Sequence, residues 1–396
     1  MNRMIVLALV LFSSLPLQAQ TLAQALEQAW SRHPLATASA AREAEVQARA
    51  EVAASITPGP PSISLSSLND KLNRDRGKQE WEVEMAVPLW LPGQQAAREA
   101  EASSARSFVA ASQDALRLQI AGEVRDAWWA VAAARNARDL AERRIATARE
   151  LESDILRRFK AGELARVDAN LVQNERLASA AELADMEAAL LQTEQAYLSL
   201  TGSAAPAVLA AENTERSGVR QDHPQLIAAS TAAQLARARL KVAEETRRAA
   251  PELALRVVRS RGDFTESYAD TLGVKLTLPF SSGPRVRQEN AAARAEAAQA
   301  DAELVLAQLR LKLDAEKARL ALDAAERQLL MARQRRELTA DTLHLAEQSF
   351  ALGESDLPTL LRARAAAFEA EAFLNRQQVA LAASQSRLNQ SQGVLP

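Results

Sequence analysis

Trp81-Glu82-Val83-Glu84-Met85-Ala86-Val87-Pro88-Leu89 returns 191 positions later, in changed letters but the same pattern, as Leu272-Gly273-Val274-Lys275-Leu276-Thr277-Leu278-Pro279-Phe280. Side chains two apart share one face of a strand. Trp81, Val83, Met85 and Val87 therefore line one side with Glu82 and Glu84 on the other, and Leu272, Val274, Leu276 and Leu278 oppose Gly273, Lys275 and Thr277. Each copy closes on a proline, Pro88 or Pro279, which removes a ladder donor.

The offset holds well outside the strands. Phe159-Lys160-Ala161-Gly162-Glu163 answers Phe350-Ala351-Leu352-Gly353-Glu354, and His33-Pro34 answers His223-Pro224, at separations of 191 and 190. One spacing across unlike local sequences marks a duplicated structural unit, and a duplication of this kind points to a conduit rather than an active site. The repeats span 20–201 and 218–396, joined by an Ala/Pro/polar linker over 202–217. Each reads as helix, two strands, long helix, glycine turn and helix.

In the first repeat a helix over about Thr21 to Ile56 stops at Thr57-Pro58-Gly59-Pro60-Pro61. Strands follow at about 62–70 and 78–88, then a long helix over 94–158 and a second helix over 164–201. The second repeat places strands at about 251–260 and 268–279, a long helix over 285–349 and a final helix over 357–392. Gly93 and Gly283 mark the strand-to-helix junctions with Pro88 and Pro279. At 1.5 Å per residue each long helix would reach roughly 100 Å. Stripes of Leu116, Ile120, Val124, Trp128 and Val131, and of Leu306, Leu309, Leu313 and Leu320, keep helical spacing and require partner helices to cover them.

Composition narrows the function classes. Charged residues make up 25% of the 396 with a formal net charge of -2, which gives no electrostatic case for nucleic acid. Cysteine is absent, excluding disulfides, thiolate metal sites and lipid attachment through cysteine. Aromatics are only 4%, and abundant alanine favours long, closely packed helices. Residues 1–19 carry Arg3, an apolar run from Met4 to Phe12 and Leu17-Gln18-Ala19, and read as a cleavable secretory signal.

Four strands of about ten residues form no independent soluble sheet here, whereas that length suits a tilted membrane strand. An open edge is not tolerated in lipid, so several copies must pool their strands.

The opening Leu22-Ala23-Gln24-Ala25-Leu26 with His33-Pro34, the strand-ending prolines, the Phe-x-x-Gly-Glu turns and the duplication together resemble the TolC family of outer-membrane efflux proteins. The stretch Trp90-Leu91-Pro92-Gly93-Gln94-Gln95-Ala96-Ala97-Arg98 is most similar to the CzcC-like branch that serves heavy-metal exporters. The resemblance implies a mainly α protomer with membrane β-strands, forming a homotrimer with an α-helical barrel in the periplasm. Four strands per chain would close a 12-stranded β-barrel in outer membrane lipid of a Gram-negative cell. It implies a periplasmic adaptor (membrane fusion) protein and an inner-membrane pump of the resistance-nodulation-division type as partners, passive export of heavy-metal cations, no cofactor and no enzymatic activity. Drug efflux and type I protein secretion are alternative cargoes. A periplasmic adaptor or a poreless coiled-coil scaffold is an alternative class that leaves the duplicated strands unexplained.

Candidate functional residues follow from position. Gly162 and Gly353 should reverse the chain at a tip, and the resemblance implies adaptor docking around Phe159, Gly162, Glu163, Leu164, Phe350, Gly353, Glu354 and Leu357. Asp168 falls where the family carries an acidic residue that helps hold the tip closed, and it reads equally as a helix-start carboxylate. The family's second-repeat gating residues correspond to Ser355, Thr359 and Arg362, so a gate would need other contacts, with Arg362 pairing Asp356 or Asp168. Glu82, Glu84 and Lys275 should face a lumen, where carboxylates favour cations or simply keep a wet wall soluble. Asp341, His344 and Glu347 share a helical face, but with three histidines in all this reads as a polar stripe rather than a metal site.

Overall fold

The computed structural model describes residues 21–72, 74–214, 222–280 and 283–396. The signal reading over 1–19 and the end of the linker, 215–217, lie outside the described residues. Chain order is α1 (Leu22–Arg32), α2 (Pro34–Thr37), α3 (Ser39–Ala53), β1 (Ser62–Asn69), β2 (Gln79–Pro88), α4 (Gln94–Lys160), α5 (Arg166–Thr201), α6 (Pro224–Glu245), β3 (Glu252–Arg261), β4 (Ala269–Thr277), α7 (Gly283–Ala351) and α8 (Leu357–Ser391). Among the described residues the chain is mainly helical, with one four-stranded antiparallel sheet in the order β1-β2-β3-β4.

The first helix is not the single rod the sequence led us to expect. Pro34 lacks an amide hydrogen and cannot continue α1, so the chain breaks there. His33 sits extended (φ -70°, ψ 129°), ends α1 and starts α2 by accepting a hydrogen bond at Nδ1 from Leu35 N (3.2 Å). His223 starts α6 identically, its Nδ1 accepting from Gln225 N at 3.2 Å with Pro224 at the first helical position.

The sheet joins the repeats through β2 and β3, with Trp81 opposite Arg259 and Met85 opposite Leu255. Across all four strands one row runs Ile63, Met85, Leu255, Val274 and the next Leu65, Val83, Val257, Leu272. These side chains form a single apolar face.

The long helices carry 67 and 69 residues, about 100 Å each. Near the sheet α4 lies between α3 and α6, where Val46, Ala105 and Leu235 meet; toward the far end it packs on α5 and α8. The main core is midway along α4, where Ile120, Val124, Trp128 and Val131 are buried against Leu22, Leu26 and Tyr197. Burial pushes the Tyr197 hydroxyl up to about 12.

The two apolar stripes meet different fates. That of α4 is buried from Ile120 to Val131, with Leu116 partly buried, while Leu306, Leu309, Leu313 and Leu320 of α7 remain 42%, 53%, 52% and 67% exposed. α7 packs on α6 and α8 and so borders the helical layer, leaving its stripe uncovered within one chain. Val167, Leu177 and Leu191 of α5, at the opposite border, are exposed as well.

Candidate functional site

The strand wall has two chemically different faces. On the apolar side Ile63, Leu65, Leu272 and Val274 are 70% exposed or nearly so, an arrangement that costs heavily in water and nothing against hydrocarbon. On the other side Glu82, Glu84, Arg256 and Lys275 form pairs. Lys275 reaches across β3 to Glu84 (3.2 Å), its path running past Ala254, and Arg256 stands 3.5 Å from Glu82. Gly273 makes room for Arg256, because a Cβ there would lie 2.9 Å from Arg256 Nε and 3.1 Å from Cγ. The carboxylates singled out in the sequence are therefore balanced by cations of the same face.

At the first junction the chain is tied down tightly. Leu89 N donates to Pro251 O (2.7 Å), Trp90 Nε1 to Ser55 O (3.0 Å), and Gly93 takes a left-handed φ of 79° as it starts α4. A β-carbon at Gly93 would stand 3.1 Å from a Glu245 carboxylate oxygen, a close approach that the flexible Glu245 side chain can relieve, so it is the left-handed φ that favours glycine here. At the second junction Pro279 precedes Phe280, 97% exposed, and Gly283 is already the first residue of α7.

Both tip turns are built alike. Gly162 (φ 79°) donates to Phe159 O (3.0 Å) while Glu163 N donates to Arg158 O (3.0 Å); Gly353 (φ 75°) donates to Phe350 O (3.1 Å) and Glu354 N to Ser349 O (2.9 Å). Each is a Schellman stop, in which a left-handed residue lets two terminal carbonyls be satisfied.

The side chains around them are not equivalent. Phe350 (8% exposed) and Leu357 (2%) are buried with Leu151, Ile155, Val172 and Leu360, and Leu164 packs against this cluster, so these three belong to the tip's own core rather than to an open surface. Phe159, Gly162, Glu163, Gly353 and Glu354 are exposed. The two turns are brought together by Arg158, whose guanidinium lies 5.3 Å from the Phe350 ring centroid and 3.3 Å from Glu163 Oε2.

The three residues assigned to a gate are not paired with one another. Asp168 accepts a hydrogen bond from Ala165 N (3.2 Å), capping the start of α5. Asp356 does the same for α8 by accepting from Thr359 N (3.0 Å), and the Thr359 hydroxyl and amide, helped by the Arg362 charge, hold its carboxyl below the ordinary range. Arg362 donates to Pro358 O (3.3 Å) and Thr359 Oγ1 (3.0 Å) within its own helix, in place of the ion pair expected for it. His344 meets Gln348 (3.1 Å) and Glu347 pairs with Arg364 (3.0 Å); among the described residues no cluster of metal-ligating side chains occurs.

One polar centre escaped the sequence reading. Arg125, 2% exposed, donates to both Glu212 carboxylate oxygens (2.9 and 2.7 Å), to Gln390 Oε1 (2.6 Å) and to Val394 O (2.9 Å). It straps the linker and the C-terminal tail to α4, so residues 202–214 are docked on the helical body rather than a free tether. The signal was present: Arg125 is four residues from Ala121 and from Trp129, inside the buried stripe.

No protein-family model and no curated protein matches the sequence. Solved structures do match over nearly its whole length. The CmeC outer membrane channel of Campylobacter jejuni is 14% identical with a TM-score of 0.76, over 94% of this chain and 85% of that one. The outer membrane protein VceC of Vibrio cholerae is 15% identical with a TM-score of 0.78, over 94% and 96%. The MtrE outer membrane channel of Neisseria gonorrhoeae, in its open state, is 16% identical with a TM-score of 0.73, over 95% and 89%. The mainly helical chain with its four-stranded sheet thus has the fold of these outer-membrane proteins.

Proposed function

We propose that this chain is the outer-membrane duct of a tripartite efflux system, conducting cargo passively from a periplasmic adaptor and an inner-membrane pump to the exterior. The observation that carries the reading is the two-faced sheet: apolar and open on one side, charged and internally paired on the other, and continuous with helices about 100 Å long. Such a wall fits hydrocarbon on one side and water on the other.

Three copies satisfy the strands best. Two would give eight, whose interior side chains fill, whereas twelve leave an aqueous bore. The helical layer supports the same assembly, since its two open borders, α7 on one side and α3 with α5 on the other, are different surfaces that meet head to tail in a closed ring. The sheet then lies in the outer membrane of a Gram-negative cell and the helical barrel in the periplasm.

The tip, through exposed Phe159, Gly162, Glu163, Gly353 and Glu354, is the docking end for the adaptor, and the pump is of the resistance-nodulation-division type. Asp168, Asp356 and Arg362 act at a gate only through contacts between copies, because within one chain each is committed to its own helix start. A heavy-metal cation is the cargo favoured by the Trp90–Arg98 resemblance. Drug export is the second reading, favoured by the charge-balanced lumen face, which offers cations no net attraction at the Glu82 and Glu84 rows.

Planar-bilayer conductance of the purified mature protein tests the duct. Stable pores from a detergent-extracted trimer are expected. A chain that stays monomeric and disperses without detergent overturns it.

A further inference from the structure

The apolar face of the sheet ends abruptly. Its rows run from Leu89 and Leu278 to Val83, Val257 and Leu272, and the next row outward is Trp81, Arg259 and Asp270. Eight residues separate Leu89 from Trp81, about 27 Å of strand or roughly 20 Å of depth at the usual tilt, close to the height of a membrane barrel's apolar band. Trp81 therefore stands where an aromatic girdle marks the lipid interface, with Arg259 opposite it and Arg261 one row farther out, opposite Gln79.

Two cations at this level need an explanation. The Arg259 and Arg261 guanidinium carbons lie 5.1 and 4.9 Å from the centroid of one ring, that of Tyr268, so both are held within roughly 10 Å of each other, about one screening length at ordinary ionic strength. Tyr268 is itself fixed by a hydrogen bond from its hydroxyl to Gln79. Arg261 is further held by Phe264, 5.4 Å away, and by Nε donating to Gly77 O (3.0 Å). Tyr268 thus gathers two like charges, from positions two apart on one strand face, on the lipid-facing surface, an arrangement that a shared anion would complete.

The nearby carboxylates supply it only in part. Asp263 takes the Thr265 amide (2.7 Å), the Thr265 hydroxyl (2.6 Å) and the Glu266 amide (3.1 Å), and Glu266 takes Gly262 N (2.7 Å). Asp270 reaches Arg259 only at 3.9 Å with both side chains 60% exposed or more, a contact worth little in water. Each guanidinium keeps several of its five donors for a planar or tetrahedral oxyanion.

We propose that Arg259 and Arg261, clamped on Tyr268, bind a phosphomonoester of an anionic lipid headgroup at the outer rim of the strand wall. The site rests on the reading of the sheet as a membrane wall. Height selects the partner: a soluble phosphate would have no reason to be read beside Trp81 on the apolar side, whereas a headgroup phosphate lies at that depth.

Native mass spectrometry of the intact assembly in neutral detergent, titrated with diphosphorylated lipid A and separately with phosphatidylcholine, tests this. The wild-type assembly should hold lipid A at least tenfold more tightly, the preference should shrink as salt rises, and Arg259→Gln/Arg261→Gln should abolish it while leaving pore conductance intact. Equal lipid A affinity in wild type and double variant overturns the site. Should the double variant fail to assemble, Arg259→Gln alone must weaken lipid A binding at least threefold, and an unchanged affinity is again refutation. Wild-type protein that binds neither lipid and stays soluble without detergent would instead bring down the membrane reading itself.

Discussion

Removing Arg125 should loosen the joint at the middle of the molecule. Its side chain is 2% exposed, and Glu212 beside it only 11%, so Arg125→Met leaves a carboxylate stranded in a region of low polarity. It also takes the donor from Gln390 Oε1 and Val394 O. Breaking one side of such a buried pair costs about 3–5 kcal/mol. With about 1.4 kcal/mol per decade, amides at the end of α8 and in the docked linker should exchange with solvent about a hundred- to several thousandfold faster, while those of the sheet stay unchanged. Hydrogen exchange read by mass spectrometry on the detergent-held assembly measures this directly. Arg125→Met/Glu212→Leu should recover much of the loss, because no unpaired charge remains. If Arg125→Met changes exchange less than threefold, or if the double variant is as loose as the two single losses combined, the strap is not what holds these segments.

Other outcomes follow from particular contacts. Burial lowers the His223 pKa against the opposing pull of Asp222, so the folded state resists taking a proton that the unfolded chain accepts near pH 6.5. Stability should be full above that pH and fall as pH drops below it in denaturant titrations from pH 8 to 5, and His223→Gln should flatten the profile. Phe350→Ala, in the tip core, should destabilise the tip by about 3–5 kcal/mol in exchange measurements, whereas Phe159→Ala, exposed, should leave stability within about 0.5 kcal/mol and weaken adaptor capture. Equal effects of the two on stability would refute the asymmetry. Lys275→Gln leaves Glu84 without its partner, so the reversal potential in a salt gradient should move toward cation selectivity; an unmoved potential would place Glu84 away from the conduction path.

The strands and the long helices were legible because both are periodic and both are written twice. Alternation from Trp81 to Val87 fixes which side chains share a face, and the register then follows from the turn that joins each pair. What stayed hidden depends on separations no local pattern encodes. Phe159 and Phe350 sit in matching motifs, yet one is exposed and the other buried, because only the second is met by helices from both repeats. Arg125 looked like a charge on a long helix until the linker and tail, 87 and 269 residues away, closed over it. The α7 stripe of Leu306 to Leu320 was visible as apolar, yet it stays exposed within one chain, and only the proposed assembly of several copies would cover it. Pro34 matches Pro224 as a repeat marker, and because it lacks an amide hydrogen it also breaks the first helix.

The pairing of β2 with β3 sets an order of events during biogenesis. The first hairpin is synthesised long before its neighbour, since β2 ends at Pro88 and β3 begins at Glu252. Until the ribosome has delivered the later half, the inner border of β2 has no ladder to join, and hydrocarbon would punish every amide left bare there. If the sheet is the membrane wall proposed above, the early strands must wait outside the lipid, and a chain truncated before Arg261 would leave the inner border of β2 incompletely paired. Under that proposal, insertion becomes a checkpoint that only complete polypeptides pass.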